Sequence, residues 1–148
     1  MSRVTNHPKV STFPEPDTGD FAFTEESWEE ARAALAKYPD SHKASAVMPL
    51  LWIAQRQQGG WLTKSAIEYV AWVLEMAPIR VHEIASFYTM YNLTPPGKYQ
   101  LQVCRTTPCK LRGGDDILAT VKNKLGIDDG EVTPDGLFSL QEVECLGA

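Results

Sequence analysis

The stretch VCRTTPCKLRGG, residues 103–114, places two cysteines five positions apart, between a strand-like segment and a helix-like one. Before it, apolar and polar side chains alternate in KYQLQVC, residues 98–104, with the period of a half-buried strand. After it, GGDDILATVKNKLG, residues 113–126, begins with acidic residues and ends on a glycine, as a helix does. Its apolar residues at helical spacing are predicted to face inward: Ile117, Leu118, Val121 and Leu125. A second strand is predicted in LFSLQEVEC, residues 137–145. The order strand, corner, helix, strand predicts an α/β layer with parallel strands.

The region before this layer has the pattern of a helical bundle. Its four helix-like segments are TEESWEEARAALAKYP (24–39), SAVMPLLWIAQRQQGG (45–60), WLTKSAIEYVAWVLEM (61–76) and IRVHEIASFYTMY (79–91). Thr24 is the predicted N-cap of the first helix, and Pro49 is compatible with the second only in its first turn. Helices this short need each other's apolar faces to be stable, so residues 21–92 are predicted to form one bundle.

A linker is predicted in NLTPPGK, residues 92–98, because two prolines and a glycine exclude regular structure there. Residues 97–148 are then the first part of a second domain, and residues 1–20 a flexible tail. The tail lacks the apolar centre of a secretory signal, and no apolar run approaches the roughly 20 residues of a membrane-spanning helix. The sequence therefore predicts an α+β protein of the bacterial cytoplasm that does not itself insert into a membrane.

Charge and pattern argue against several functions. The 148 residues have a formal net charge of -5, whereas a protein that binds nucleic acid by neutralising phosphates needs a basic surface. The sequence shows no glycine-rich dinucleotide motif and no P-loop, so no NADH or flavin site is predicted in it. Helical spacing favours core packing over a flavin or quinone pocket for seven aromatic residues: Trp52, Trp61, Tyr69, Trp72, Phe87, Tyr88 and Tyr91.

The three cysteines, Cys104, Cys109 and Cys145, are an odd number in a chain without a secretory signal, which disfavours a disulfide framework. Iron–sulfur clusters bind through thiolates, and a strand-to-helix corner offers free N–H groups and a helix dipole that favour negative charge. Three cations lie close by in sequence: Arg105, Lys110 and Arg112. Four small residues are predicted to let the backbone approach a cofactor: Gly113, Gly114, Gly147 and Ala148. From the residues alone an iron–sulfur cluster, a redox dithiol, a zinc site and a purely structural role all stay open.

Four stretches together resemble a known family: the cysteine corner, EVECLGA (142–148), GGWLTKSAIEYVAWVLEM (59–76) and ASFYTMYNLTPPGKY (85–99). They are similar to the thioredoxin-like [2Fe-2S] subunits of NADH-quinone oxidoreductase, the E-subunit family of respiratory complex I, in its alphaproteobacterial and mitochondrial form. The resemblance covers nearly the whole chain from Phe21. It implies an N-terminal helical bundle followed by a thioredoxin-like α/β ferredoxin domain.

The resemblance also implies a ligand set for the [2Fe-2S] cluster. The family's first two ligands fall on Cys104 and Cys109, and the third falls on Cys145. The family pattern continues C-x3-C, which places the fourth cysteine just after Ala148. The chain is therefore expected to be truncated before its fourth ligand and before the rest of the thioredoxin-like sheet.

The function implied is electron transfer in the NADH dehydrogenase module of complex I, between the flavin of a partner subunit and the [2Fe-2S] cluster. FMN and NADH would be bound by that flavoprotein partner, and an iron-sulfur subunit of the module would be the second partner. The complex would hold the chain peripherally on the cytoplasmic side of the inner membrane. Two alternatives stay open: the equivalent subunit of an NAD-reducing hydrogenase or NAD-dependent formate dehydrogenase, and a cluster-free assembly or docking element.

Overall fold

The computed structural model describes residues 21–145, and these divide into two compact units, the first ending at Thr94 and the second beginning at Pro95. The predicted α+β class is confirmed, since the first unit is helical and the second combines helices with a two-stranded sheet. The division lies inside the predicted linker, while the domain limits at residues 92 and 97 remain predictions. The predicted tail, residues 1–20, lies outside the described residues.

The first unit contains the four predicted helices and a 3-10 helix that the sequence pattern did not indicate. In chain order they are α1 (Glu25–Leu35), the 3-10 helix (Asp40–Ala46), α2 (Val47–Gln57), α3 (Lys64–Leu74) and α4 (Pro78–Phe87). The predicted cap is confirmed, because the Thr24 hydroxyl accepts a hydrogen bond from the Ser27 N–H at 3.3 Å. Thr63 caps α3 in the same way, accepting from the Ala66 N–H at 3.1 Å. Pro49 lies in the first turn of α2, as predicted.

An aromatic cluster holds the first unit together. Trp28 of α1 is 1% exposed and lies 5.5 Å from Phe23 and 6.4 Å from Tyr69 between ring centroids. Both pairs meet edge to face, the arrangement that aromatic rings prefer. Since Tyr69 belongs to α3, the cluster joins α1 to α3 through the segment that precedes α1.

The prediction that all seven aromatic residues pack in the core is wrong for three of them. Phe87 is 76% exposed, Trp52 41% and Tyr88 37%. The predicted helical spacing ran to Tyr91, but α4 ends at Phe87 and Tyr88 is extended, with φ -89° and ψ 113°. The chain therefore leaves the helical path at Tyr88, whereas Trp52 and Phe87 lie within α2 and α4 on faces that the unit leaves exposed.

Tyr91 is buried and donates its hydroxyl to the Met48 carbonyl oxygen at 3.0 Å. Burial, assisted by the neighbouring Tyr88, raises the pKa of Tyr91 to about 12. A tyrosine ionises near pH 10 in an unfolded chain, so the folded protein holds this proton more tightly. Its stabilising contribution is complete below about pH 10 and is lost as the pH rises towards about 12.

Tyr91→Phe should therefore change how stability depends on alkaline pH. Between about pH 9 and about pH 11, we expect the wild-type free energy of unfolding to fall by about 1 kcal/mol more than that of the variant. Near neutral pH the variant should be less stable by about 1 kcal/mol, because it lacks the hydrogen bond to Met48. Urea unfolding at several pH values measures both effects. Parallel stability curves for the two proteins would contradict the burial argument.

The second unit contains β1 (Tyr99–Cys104), α5 (Thr107–Leu111), α6 (Gly114–Leu125) and β2 (Phe138–Val143). The two strands pair in parallel, as predicted, in a register that runs from Tyr99 opposite Phe138 to Cys104 opposite Val143. The Arg105 N–H continues this pairing by donating to the Val143 carbonyl oxygen at 3.0 Å. Both strands consequently end at the same edge of the sheet.

Gly97 fixes how β1 begins against β2. A Cβ atom at this position would lie 2.4 Å from the Phe138 carbonyl carbon and 2.6 Å from the Ser139 nitrogen, distances that no side chain tolerates. Only glycine permits this approach. Directly after it, the Lys98 N–H donates to the Gly136 carbonyl oxygen at 3.0 Å. Gly97 thus helps to set the register that later aligns the carboxyl ends of the two strands.

The helix α6 is less buried than its sequence pattern predicted. Ile117, Leu118, Val121 and Leu125 were expected to face inward, yet Ile117 is 58% exposed and the others are half-buried. The sheet in residues 95–145 has two strands, and that narrow surface cannot cover a whole helix face. Nowhere in residues 21–145 is there a helix with the length and apolar character needed to cross a bilayer.

Candidate metal centre

The parallel register brings two cysteines that are distant in sequence to one edge of the sheet. Cys104 is the last residue of β1, and Cys145 follows the last residue of β2, Val143, by two positions. Between them, α5 carries Cys109 as its third residue. None of the three is in a disulfide; Cys104 and Cys109 are half-buried, and Cys145 is exposed.

Cys104 and Cys109 lie close together at this corner, since both line one concave space. Hydrogen bonds from the Thr106 hydroxyl, the Thr106 backbone N–H and the Cys109 thiol lower the pKa of Cys104, against the opposing effects of desolvation and the Glu144 charge. The pKa of Cys109 is raised by its hydrogen bond to Cys104, by desolvation, and by the charges of Cys104 and Cys145. Cys104 is accordingly the thiol that ionises first, and the thiolate is the form that binds metal.

Gly114 allows α6 to start directly against the cysteine corner. A Cβ atom on Gly114 would lie 3.0 Å from the Cys109 carbonyl oxygen and 3.2 Å from the Cys104 carbonyl oxygen. The preceding Gly113 has φ 97°, a left-handed conformation that glycine adopts without strain. The two glycines thus allow α6 to begin close to the cysteine corner, whereas their predicted role in the approach of the backbone to a cofactor stays a prediction. Gly147 and Ala148, for which the same role was predicted, lie outside the described residues.

The surface next to the thiol pair is concave. A depression of about 320 Å³ lies there, at the lower end of the roughly 300–1,000 Å³ typical of sites that hold small ligands. It is lined by Gln102, Val103, Cys104, Cys109, Arg112, Gly114 and Ile117. Both paired thiols and the glycine against which they pack therefore border one space.

The three cations named from the sequence differ in whether a carboxylate side chain pairs with them. Arg105 forms an ion pair with Glu142 at 3.0 Å, and Lys110 forms one with Asp115 at 3.1 Å. Arg112 lines the depression, and no carboxylate of residues 21–145 lies within ion-pair distance of it. Of the three cations named from the sequence, Arg112 is the one whose charge is available to an anionic ligand in the depression.

The arrangement does not suit a single metal ion. In residues 21–145 no three Cys, His, Asp or Glu side chains converge on one metal position, whereas structural zinc requires four ligands around one point. His42 and His82 both belong to the first unit, and His7 lies outside the described residues.

A [2Fe-2S] cluster makes a different demand, because its thiolates are divided between two irons. Four features of the site suit such a cluster: a close thiol pair, a third thiol at the same sheet edge, a glycine that lets α6 begin beside the thiols, and an adjoining depression. The donor chemistry fits as well, since all three side chains supply the sulfur ligands on which such clusters depend.

Sequence reasoning missed two residues of this site, Thr106 and Glu144. The Thr106 hydroxyl donates to Glu144 Oε2 at 2.9 Å, which joins the cysteine corner to the segment that carries Cys145. The one available signal was the order Thr106, Thr107, Pro108, which is typical of a helix start. It could have indicated α5, but not the partner of the threonine side chain.

This chain belongs to the thioredoxin-like [2Fe-2S] ferredoxin family, whose model matches residues 31–148. The cofactor of the family is the [2Fe-2S] cluster that the site fits, and the chain is accordingly an electron-transfer protein. The family membership implied by the resemblance in the sequence is thereby confirmed.

Three relatives are named as parts of NADH-quinone oxidoreductase or NADH dehydrogenase. The E subunit of NADH-quinone oxidoreductase from Rickettsia bellii is 57% identical over 129 residues, which cover 87% of this chain and 77% of the relative. The protein of the same name from Rickettsia typhi is 55% identical over 128 residues, 86% of this chain and 75% of the relative. NADH dehydrogenase [ubiquinone] flavoprotein 2, mitochondrial, from Dictyostelium discoideum is 52% identical over 128 residues, 86% of this chain and 52% of the relative.

Proposed function

We propose that the chain exchanges one electron between the flavin of a partner subunit and a [2Fe-2S] cluster held by Cys104, Cys109 and Cys145, within the NADH dehydrogenase module of complex I. The observation that carries this proposal is that Cys104 and Cys109 line one depression, at the sheet edge to which the parallel register also brings the segment of Cys145. The similarity to the E subunit of a bacterial NADH-quinone oxidoreductase, at 57% identity, supports the choice of complex.

The chain's own residues supply the binding and the orientation. A bound [2Fe-2S] cluster would supply reversible one-electron acceptance at a potential tuned by charge, hydrogen bonds and exposure. Cys104 and Cys109 would hold it from the corner between β1 and α5, and Cys145 from the segment after β2. Arg112 would offset negative charge in the depression. On the family's pattern, the fourth thiolate is assigned to the position just after Ala148.

The reaction with NADH is assigned to partners. The flavoprotein subunit would bind FMN and NADH, and the iron-sulfur subunit of the same module would be the second neighbour. The complex would hold the chain peripherally, on the cytoplasmic side of the inner membrane. Co-purification from the native host tests this assignment, because the equivalent subunits of NAD-reducing hydrogenases and formate dehydrogenases would be recovered with different catalytic partners.

Electron exchange with the flavoprotein tests the function directly. The full product of the gene is reduced with dithionite, freed of excess reductant and mixed rapidly with the oxidised flavoprotein subunit, while flavin and cluster absorbance are followed. We expect the cluster to be reoxidised as the flavin is reduced, faster than with free FMN at the same concentration. Complex formation without electron exchange would contradict the proposal.

The first unit carries exposed apolar side chains in and just after α4, and these suit a docking role. We call this set of side chains the α4 patch. It comprises Ile79, Phe87, Tyr88, Met90 and Leu93. Phe87 is 76% exposed and stacks edge to face on Tyr88, with 5.0 Å between ring centroids. This exposed aromatic pair is apolar surface of the kind that typically marks an interaction site. We assign the α4 patch to the flavoprotein subunit.

Phe87→Ser is expected to weaken binding of the flavoprotein subunit about thirtyfold, or about 2 kcal/mol, the effect typical of an aromatic anchor at an interface. The thermal midpoint of the chain itself should hardly change, because Phe87 is mostly exposed. Calorimetric titration of the two subunits measures the affinity. Leu137→Ser, which alters an exposed apolar residue of the second unit, is the matched control and should bind normally. Equal affinities for wild type and Phe87→Ser would contradict the assignment.

A further inference from the structure

A buried amide side chain holds the segment that follows α4. Gln55 of α2 is 4% exposed, and burying an amide is costly unless its polar atoms are hydrogen-bonded. Its Nε2 donates to the Met90 carbonyl oxygen at 3.1 Å, and its Oε1 accepts from the Asn92 N–H at 2.8 Å. One side chain thus supplies hydrogen-bond partners to backbone that lies outside any helix or strand.

Further contacts hold the same segment. The Asn92 side chain donates through Nδ2 to the Gly60 carbonyl oxygen at 2.9 Å, and the Asn92 carbonyl oxygen accepts from the Leu62 N–H at 2.8 Å. Between the two residues that Gln55 holds, Tyr91 is buried. The segment is therefore fixed both to α2 and to the turn between α2 and α3.

Fixing this backbone also fixes where its exposed side chains lie. Met90, whose carbonyl oxygen Gln55 holds, is 41% exposed, and Leu93, which follows Asn92, is 37% exposed. Both belong to the α4 patch, yet both lie beyond the end of α4 at Phe87. The helix does not set their positions, so the hydrogen bonds of the segment do.

We propose that Gln55 is a positioning residue for subunit docking, which holds Met90 and Asn92 so that the α4 patch is ordered before the flavoprotein subunit binds. The proposal rests on the proposed function, since it takes the α4 patch as the docking surface. A surface whose backbone is already ordered loses less conformational entropy on binding, which raises the affinity. Gln55 itself is buried, so it acts without contacting the partner.

A second glutamine of α2 provides a matched control. Gln57 Nε2 donates to the Ala22 carbonyl oxygen at 2.7 Å, and Gln57 Oε1 accepts from the Thr24 N–H at 3.1 Å. Gln55 and Gln57 thus make the same pair of bonds, each to the carbonyl oxygen of one residue and the N–H of the residue two positions later. Gln57, however, holds the segment before α1, which contributes no side chain to the α4 patch.

Gln55→Met removes both bonds and keeps the length of the side chain. We expect the variant to bind the flavoprotein subunit about tenfold more weakly, whereas Gln57→Met should bind normally. Amide hydrogen exchange in residues 90–92 should become faster in Gln55→Met and stay unchanged in Gln57→Met. Calorimetric titration of the full product of the gene with the flavoprotein subunit measures the affinity. A role in general stability alone would weaken binding by both variants alike.

A double-mutant cycle with Met90 tests whether Gln55 acts through the α4 patch. Met90→Ser removes an exposed side chain of the patch and keeps the backbone carbonyl that Gln55 holds. Gln55→Met should therefore cost less affinity in the Met90→Ser background than in the wild type. Additive effects in this cycle, or equal weakening by Gln57→Met, would overturn the inference.

The binding data separate this inference from the docking role proposed for the α4 patch. Wild-type affinity in Gln55→Met beside weakened binding by Phe87→Ser would overturn the inference and leave that docking role standing. Wild-type affinity in Phe87→Ser would overturn both. Should Gln55→Met not fold, Asn92→Ala decides, because it removes the side-chain bond to Gly60 and keeps the backbone bonds of the segment. Weakened binding by Asn92→Ala supports the inference, and unchanged affinity overturns it.

Discussion

Cys104→Ser is expected to reduce the iron retained by the full product of the gene from about two atoms per chain to almost none. Cys104 ends β1 and lines the depression together with Cys109, so its sulfur lies where the proposed cluster would be held. Serine offers a harder oxygen ligand and loses the soft thiolate on which iron–sulfur chemistry depends. Colorimetric iron and sulfide analysis of the purified variant measures the loss.

The fold of the apoprotein should survive this change, because the Cys104 side chain is half-buried at the sheet edge and not part of the core. The free energy of unfolding without iron is expected to change by less than about 1 kcal/mol. Thr107→Ser is the matched control: it alters an exposed residue of α5 beside the corner and should leave the iron content unchanged. Full iron content with an unchanged spectrum in Cys104→Ser would remove this residue from the ligand set.

Gly114→Ala should have the second large effect on the site. The new methyl group would lie 3.0 Å from the Cys109 carbonyl oxygen and 3.1 Å from the Cys109 carbonyl carbon, both backbone atoms that cannot turn aside. The corner must then move away from α6, at a cost of about 1–3 kcal/mol, and the thiol pair moves with it. We expect lowered stability together with iron loss. The direction is opposite to the usual gain of about 0.5–1 kcal/mol when alanine replaces glycine within a helix.

Gly126→Ala separates this effect from simple backbone strain. Gly126 ends α6 with φ 67°, and a Cβ atom there would meet nothing within 4 Å. Alanine should cost about 1–2 kcal/mol through its left-handed conformation and leave the iron content unchanged. Denaturant unfolding and iron analysis of both variants give the comparison. Normal iron retention in Gly114→Ala would show that the approach of α6 to the cysteine corner does not support the site.

Local patterns were sufficient to predict much of this arrangement. Alternation in residues 99–104 predicted β1, and apolar spacing after the acidic first turn predicted α6. The intervening helix indicated parallel strands, which the observed pairing of β1 with β2 confirms. Cys145, by contrast, was grouped with Cys104 and Cys109 only through the family resemblance. Thr24 was recognisable as a cap because capping is a contact over three residues.

Features that depend on contacts between distant residues were not predictable. The ion pair of Arg105 with Glu142 and the hydrogen bond of Thr106 to Glu144 arise from the register of β1 and β2, which no local pattern specifies. The end of α3 at Glu75, a non-glycine residue with φ 55°, likewise lacked the usual glycine signal. The contacts of Arg105 and Thr106 decide which charges and hydrogen-bond donors remain available to the thiols.

The central claim is that Cys104, Cys109 and Cys145 hold a [2Fe-2S] cluster. Its most direct test is iron and acid-labile sulfide analysis of the full product of the gene, together with an electron paramagnetic resonance spectrum after dithionite reduction. We predict about two irons and two sulfides per chain and the spectrum of a reduced [2Fe-2S] centre, all lost when the three cysteines are replaced by serine. A folded protein that binds no iron and shows no such spectrum would contradict the claim and leave the chain a cluster-free docking subunit.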